Sequence, residues 1–264
     1  MTSYLHGYFP EEQERLVEQA GILGSLIYPR IDFEGCKHVL EIGSGVGAQT
    51  KVLISLFPDL KITCVDAESK QLEKAKANLL EEADRLTFVH QDAQKLDLDE
   101  KFDGAFLCWV LEHIPDPKSV LGSLKNQLLP GSVVWITEVF NSTFYFQPEL
   151  PGLRNYYDNY NAYQRSLGGD PDVGAKLGGL LKENGFRDIE LYPGGFHLSK
   201  HEPELLQKFT TYWIELMKSG AAAMLASEWI LPEEVSAMEK DLIRIAADEN
   251  AVFYYRFVQA SATI

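Results

Sequence analysis

The sequence predicts an α/β protein built on a doubly wound, mostly parallel sheet of seven strands, and three observations carry that reading. Short apolar runs alternate with amphipathic helical runs from residue 36 to residue 140. The first apolar run ends in a turn with glycines at 43, 45 and 47 and passes directly into a helix. The second run ends in an acidic residue, Asp66, at the distance typical of a ligand-binding βαβ unit, about 20 residues further on.

Taken in order, residues 38–43 read as the first strand and 48–57 as the helix after it. Residues 61–67 form a second strand, 69–83 an amphipathic helix, 86–93 a third strand, and 102–114 a fourth that runs out into a loop. A helix over 117–130 leads to a fifth strand at 131–140. The alternation then breaks, because residues 141–172 are rich in Tyr, Asn, Pro and Gly and only weakly helical. Residues 173–186 read as a helix stopped by Gly185 and 187–198 as a sixth strand. An all-helical insertion follows at 202–248, broken near 231–235, before a last strand at 251–262. The expected organisation is an N-terminal helical arm, 1–35, and a main domain, 36–264, with cap insertions at 141–172 and 202–248. Caps of this kind carry specificity on a fixed scaffold.

Composition excludes several function classes. The chain has 24 Lys+Arg against 39 Asp+Glu, a net charge of -15. Such a surface repels nucleic acid, and no dense basic run offsets it. The N-terminus is polar and acidic, unlike a signal peptide, and no apolar run is long enough to span a bilayer. The three cysteines, Cys36, Cys64 and Cys108, form no CxxC pair, so neither a disulfide framework nor a zinc site is implied. His197 and His201 lack partners at ligand spacing, and no metal is expected. A cytoplasmic protein acting on a small molecule, monomeric or homodimeric, with no nucleic-acid or membrane partner, is the expectation.

The glycine turn narrows the chemistry. Alone, a GxGxG turn fits a βα connection that merely packs closely. Its spacing is not the GxGxxG of the dinucleotide fingerprint, and Glu41 stands just before it on the strand tip. A carboxylate there repels a pyrophosphate and suits a cationic ligand. Asp66 can accept from both hydroxyls of a ribose, the competing reading being an N-cap for the following helix.

With Glu41-x-Gly43-x-Gly45-x-Gly47 the sequence resembles the class I, Rossmann-like, S-adenosylmethionine-dependent methyltransferases, well over residues 36–140 and more loosely through the last strand. The resemblance implies an antiparallel last strand and S-adenosylmethionine as cofactor. It implies contacts to that cofactor from Glu41, Gly43, Ser44, Gly45, Gly47 and Thr50 around the turn, and from Asp66, Ala67 and Gln71 at the ribose. Asp92 and Ala93, after Gln91, resemble the segment that holds the adenine; a turn aspartate is the competing reading. Cys108 and Trp109, with the Leu111-Glu112-His113 loop, fall where the family places the methionine moiety and the transferable methyl. His113 is the candidate general base, with a structural role as the alternative. The N-terminal string Tyr4, His6, Gly7, Tyr8 before an amphipathic helix resembles a subset of small-molecule methyltransferases whose arm closes over the cofactor.

The acceptor is less legible. Tyr156, Tyr160 and Tyr163 share one helical face. Such a stripe is more often a packing face than a binding wall. As a wall it would offer Tyr156 and Tyr160, with Arg165 meeting a substrate carboxylate. Glu138 and Asn141 end the fifth strand on the ligand edge of the sheet. The expected reaction is in-line methyl transfer to an O, N, S or C atom of a small molecule. An NAD(P)-dependent oxidoreductase is disfavoured by the glycine spacing, Glu41 and the lack of a Tyr-x-x-x-Lys pair. A cofactor-binding module without catalysis stays open.

Overall fold

A computed structural model describes residues 5–264. Its sheet runs in the order β3-β2-β1-β4-β5-β7-β6. The first strands are short: β1 His38–Ile42, β2 Lys61–Asp66, β3 Leu86–His90 and β4 Phe102–Cys108. All are parallel, as is β4 to β5, Leu128–Gln147. The last strand, β7 Val252–Thr263, slots between β5 and β6, Arg187–Ser199, antiparallel to both. Strand order reverses between β1 and β4, the place where open α/β sheets bind ligands.

Helices cover both faces, each burying an apolar stripe. On one face, α4 (Pro117–Gln127) and α6 (Leu177–Glu183) bury Val120, Leu121, Leu124, Leu177 and Leu181 against Leu40, Leu107 and Ile136 of the sheet. On the other lie α1 (Pro10–Ile27), α2 (Ala48–Leu56) and three further helices. These are α5 (Pro151–Ser166), α7 (Pro203–Ala226) and α8 (Pro232–Ala247). Each of the three starts with proline in its first turn, where the missing N–H costs nothing. Helix α3, Ser69–Asn78, packs on β2 and β3. Among the described residues no helix is long and apolar enough to cross a membrane, and none of their His, Cys, Asp and Glu side chains cluster as a metal site.

The structure differs from the sequence reading at residues 141–172. Strand β5 does not stop at 140 but continues to Gln147, past a register shift between Phe140 and Tyr145. The alternation explains this: Phe144 and Phe146 are buried and Tyr145 is exposed, the period of a strand with one covered face. Residues 151–166 then form a regular helix, although Asn, Asp and Tyr weaken its propensity. Its buried tyrosines supply by packing what propensity lacks.

The long strands β5, β7 and β6 thus rise above the ligand edge, and α5, α7 and α8 close over them. Phe144, Phe196, Trp213 and Phe253 meet there with ring centroids 5.1–5.9 Å apart. Edge strand β6 tolerates Pro193 and bends at Gly194 and Gly195. Gly195 has φ +133, and a Cβ there would lie 2.1 Å from the Tyr255 carbonyl oxygen. Gly195→Ala should therefore destabilise the fold by about 1–3 kcal/mol, read by urea unfolding. Wild-type stability in that variant would show that β6 does not need its close approach to β7.

Candidate functional site

The backbone of the glycine turn is bound to its own sheet. The N–H groups of Gly43 and Ser44 donate to the Val65 carbonyl at 2.8 and 3.1 Å. The Gly45 N–H donates to Asp66 Oδ2 at 2.8 Å, and Gly47 to the Ser44 carbonyl at 2.9 Å. Four amides that might have wrapped a phosphate therefore have partners inside the protein. All three glycines sit at positive φ, 70, 53 and 77. A Cβ on Gly43 would strike Val110 at 2.5 Å, and one on Gly47 would strike Leu79 at 2.6 Å. Gly47 serves the packing of α2 on α3 and does not line the cavity.

Asp66 is anchored on both oxygens, with Oδ1 accepting the Glu68 N–H at 2.9 Å. Burial raises its pKa, and the two backbone donors oppose that rise. The N-cap of α3 is Glu68, so the capping alternative for Asp66 does not describe its role. Asp92 accepts from the Gln94 N–H and so does cap a short 3-10 turn, while also lining the cavity.

One cavity of about 860 Å³ brings most of the expected residues together. Gly43, Ser44, Gly45, Asp66, Ala67, Gln71, Asp92 and Ala93 line one half. His6, Tyr8, Cys108, Trp109, His113, Asn141 and Tyr160 also reach it. Tyr4 lies outside the described residues. Trp109, on the turn after β4, has φ 57, a left-handed conformation uncommon for a large side chain and often found at functional sites.

Besides Gly47, five expected residues are not at the cavity wall. Glu41 is 2% exposed and lies behind the turn, accepting from the Thr50 hydroxyl at 2.6 Å. Burial pushes its carboxyl up to about 8. Glu41 and Thr50 therefore bond to each other and brace β1 against α2. Glu138 is fully buried, and its Oε1 accepts the N–H groups of Val110 and Leu111 at 3.0 and 2.7 Å. It organises the loop after β4 and has no path to an acceptor. Tyr156 is fully buried, donating to the Met217 carbonyl at 2.7 Å. Arg165 is exposed and paired with Asp172 at 2.9 Å, away from the cavity.

Other wall residues were not singled out from the sequence. Helix α1 contributes Arg15, Leu16 and Gln19, and α7 contributes Tyr212, Trp213, Leu216 and Met217. The sheet adds Phe196, Tyr255 and Phe257, and α5 adds Tyr157. Arg15 forms a buried bidentate pair with Glu12, at 2.7 and 2.6 Å, and also donates to Gln19. A signal existed for this: Glu12, Arg15 and Gln19 follow one another at helical spacing on a helix otherwise read as apolar inside. Below the arm, His113 Nε2 stands 3.6 Å from Glu112 Oε1, and the Gln164 amide donates to the other Glu112 oxygen at 2.8 Å. Burial lowers the His113 pKa, with Glu112 opposing the change.

Comparison with known proteins agrees with this geometry. Residues 40–136 match the model of a methyltransferase domain. An O-methyltransferase of Pyrenophora dematioidea is 28% identical over 197 residues, covering 72% of this chain and 70% of that protein. Among solved structures, phosphoethanolamine N-methyltransferase 2 of Haemonchus contortus with S-adenosyl-L-methionine superposes with a TM-score of 0.54 at 20% identity, over 93% of this chain and 52% of that one. Human N-acetylserotonin methyltransferase with the same cofactor gives 0.53 at 22% identity, over 69% and 51%. The chain spans about half the length of these two, and at such identity they establish the fold. The inward-bonded glycine turn falls within the stretch, residues 40–136, that matches the methyltransferase-domain model.

Proposed function

We propose that the chain transfers a methyl group to a hydroxyl oxygen of a small-molecule acceptor, with His113 as general base. The Glu112–His113 pair at the cavity wall carries this reading, and the naming of the fungal relative as an O-methyltransferase supports it. When bound, S-adenosylmethionine supplies an electrophilic methyl on a sulfonium.

The residues present fit that cofactor. Ser44 Oγ is buried, lines the cavity and has no partner among the described residues, so a polar group of the methionine end can satisfy it. Each Asp66 oxygen already accepts one backbone N–H and has a lone pair left for a ribose hydroxyl. Gln71 and Ala67 stand beside that position, and Asp92 with Ala93 marks the adenine end. Cys108 and Trp109 flank the reacting end.

The arm, residues 1–35, acts as a lid, and 36–264 with its two caps forms the methyltransferase domain. Gln13 of α1 donates to Gln71 Oε1 at 2.9 Å, bridging from the arm across the ribose position. His6 reaches Ser219 Oγ at 2.6 Å and the Tyr160 hydroxyl at 3.1 Å, tying the arm to the cap. This roof excludes water and holds the acceptor, and positioning of that kind supplies roughly 7–11 kcal/mol of barrier reduction. The His113 imidazole, kept neutral by burial, takes the hydroxyl proton, and Glu112 stabilises the imidazolium that results. Unpaired Cys36, Cys64 and Cys108 fit a reducing cytoplasm.

S-adenosylhomocysteine should bind with micromolar affinity by calorimetry. Asp66→Ala should weaken that binding roughly ten- to hundredfold, the loss of charge-assisted bonds worth about 1.5–3 kcal/mol each. No measurable binding to wild-type protein would defeat the cofactor assignment. His113→Ala should cut kcat by roughly 10²–10⁴-fold while changing S-adenosylhomocysteine affinity little. An unaltered rate would reduce His113 to a structural part. Because its pKa is lowered, the acid limb of the kcat profile should have its midpoint below the ordinary histidine value of 6.5; a midpoint above that value contradicts the assignment.

Glu41 offers a stability test. Its folded-state pKa, about 8, exceeds the unfolded carboxylate value of 4.5, so the folded chain loses stability as pH rises through that window. Glu41→Gln removes the ionisation, and its melting temperature should gain on wild type as pH is raised across the same range. A constant difference would mean that Glu41 is already ionised in the fold at the low end.

A further inference from the structure

The half of the cavity beyond the reacting end is walled by aromatic rings whose tyrosine hydroxyls are already engaged, while the buried Trp213 Nε1–H has no partner among the described residues. Four tyrosines reach it, and each hydroxyl has a partner inside the protein. Tyr157 donates to the Asn141 carbonyl at 3.0 Å and Tyr255 to Asn141 Oδ1 at 2.9 Å. Tyr212 donates to Gln19 Oε1 at 2.9 Å, and the Tyr160 hydroxyl lies 3.1 Å from His6 Nε2. The Asn141 amide in turn donates to Asn161 Oδ1 at 2.8 Å. With their hydroxyls held in this way, the four side chains meet a ligand as ring surface. Trp213, Phe196 and Phe257 complete the wall and add no positive charge; the Trp213 indole N–H is the one donor these three side chains bring.

The one guanidinium near this half is already paired. Arg15 is paired with Glu12, and Glu112 is held by Gln164 and faces His113. Among the described lining residues there is no lysine. An acidic acceptor entering here would lose its hydration and meet a guanidinium whose charge Glu12 already balances, a costly exchange. A cationic acceptor would meet ring faces, which attract cations, and a Glu112 carboxylate whose oxygens are shared with the Gln164 amide and His113; the ammonium probe below tests that alternative. The cavity, at about 860 Å³, lies toward the upper end of the roughly 300–1,000 Å³ typical of ligand pockets, room for a second molecule beside the cofactor.

Building on the methyltransferase reading above, we infer that the acceptor is an uncharged, flat, polycyclic or aromatic alcohol, bound by stacking on this wall with its hydroxyl turned to His113. Selectivity comes chiefly from shape and ring contact, with polar recognition at the hydroxyl of the reacting end and a single further donor, the Trp213 indole N–H, in the wall. Methylation of such an alcohol would form the O–CH3 bond as the S–CH3 bond of the sulfonium donor breaks, the electron pair staying on sulfur in S-adenosylhomocysteine and the O–H proton passing to His113 and then to solvent.

The test uses the full wild-type chain saturated with S-adenosylhomocysteine and four probes of one shape, titrated calorimetrically. These are 1-naphthol, decahydro-1-naphthol, naphthalene-1-carboxylate and trimethyl(1-naphthyl)ammonium. 1-Naphthol should bind at least tenfold tighter than each of the other three. Equal or tighter binding of the carboxylate or the ammonium overturns the neutral-acceptor inference, and equal binding of the saturated alcohol overturns stacking. If S-adenosylhomocysteine binds and no probe does, the inference falls while the cofactor reading stands. If S-adenosylhomocysteine itself does not bind, both fall. Leu216→Glu, at the half-buried α7 wall, should weaken 1-naphthol at least tenfold with S-adenosylhomocysteine affinity retained. Unchanged 1-naphthol affinity in that folded variant also overturns the inference, and should it not fold, the wild-type titrations decide.

Discussion

The bond from the Gly45 N–H to Asp66 Oδ2 joins the two features on which the site depends. It forms because the turn after β1 curls toward β2, with Gly43 and Ser44 donating to the Val65 carbonyl one residue earlier. Only positive φ at the three glycines permits that path, and only the lack of a Cβ lets Gly43 pass Val110. The consequence is chemical. A dinucleotide-binding turn keeps its amides for a pyrophosphate, whereas here they hold the sheet and, through Gly45, steady an acidic side chain at the cavity wall. A ribose with a cationic tail fits such a turn, and a diphosphate does not.

The second half of the site follows from strand length. Strands β1 to β4 end at the ligand edge, while β5, β7 and β6 continue beyond it. The extended part would expose a broad apolar face, and α5, α7 and α8 cover it. They do so incompletely, because the wall formed by Phe196, Tyr255 and Trp213 also borders the cavity. Core packing and cavity wall are therefore the same set of rings. That economy explains why the tyrosine hydroxyls face Asn141 and Gln19: a buried hydroxyl needs a partner whether or not a ligand is present.

The parallel half of the fold was legible because period and punctuation agree there: apolar runs of strand length, glycines at the turn, and Asp66 at the expected distance. The cap was legible as helices but not as faces. Tyr156 and Tyr157 are neighbours in a polar, aromatic stretch, and nothing local says which one turns to the cavity. The phase is set by Pro151 at the start of α5 and by the bond from Tyr156 to Met217, a contact across 61 residues. Arg165 failed as a binding residue for a similar reason: its partner Asp172 lies just past the helix, and a short exposed pair at the surface competes with a longer reach inward.

The acidic residues misread from the sequence expose a general ambiguity. A carboxylate at a strand tip on the ligand edge can face the ligand, as Asp66 does, or turn inward to hold backbone, as Glu138 does. Position on the strand does not separate the two, but exposure does: Asp66 is partly exposed at the cavity, and Glu138 is fully buried. Asp66 keeps acceptor capacity toward the cavity after its backbone bonds, while Glu138 lies wholly behind the β4 loop and has its carboxyl pushed up to about 8 by burial and by Glu112. By accepting from Val110 and Leu111, Glu138 shapes the turn that places Trp109 at φ 57 and carries Glu112 and His113 to the wall. The His113 imidazole proposed as base is thus presented by a loop whose conformation a buried carboxyl maintains, and Glu138 bears on the cavity only through that loop.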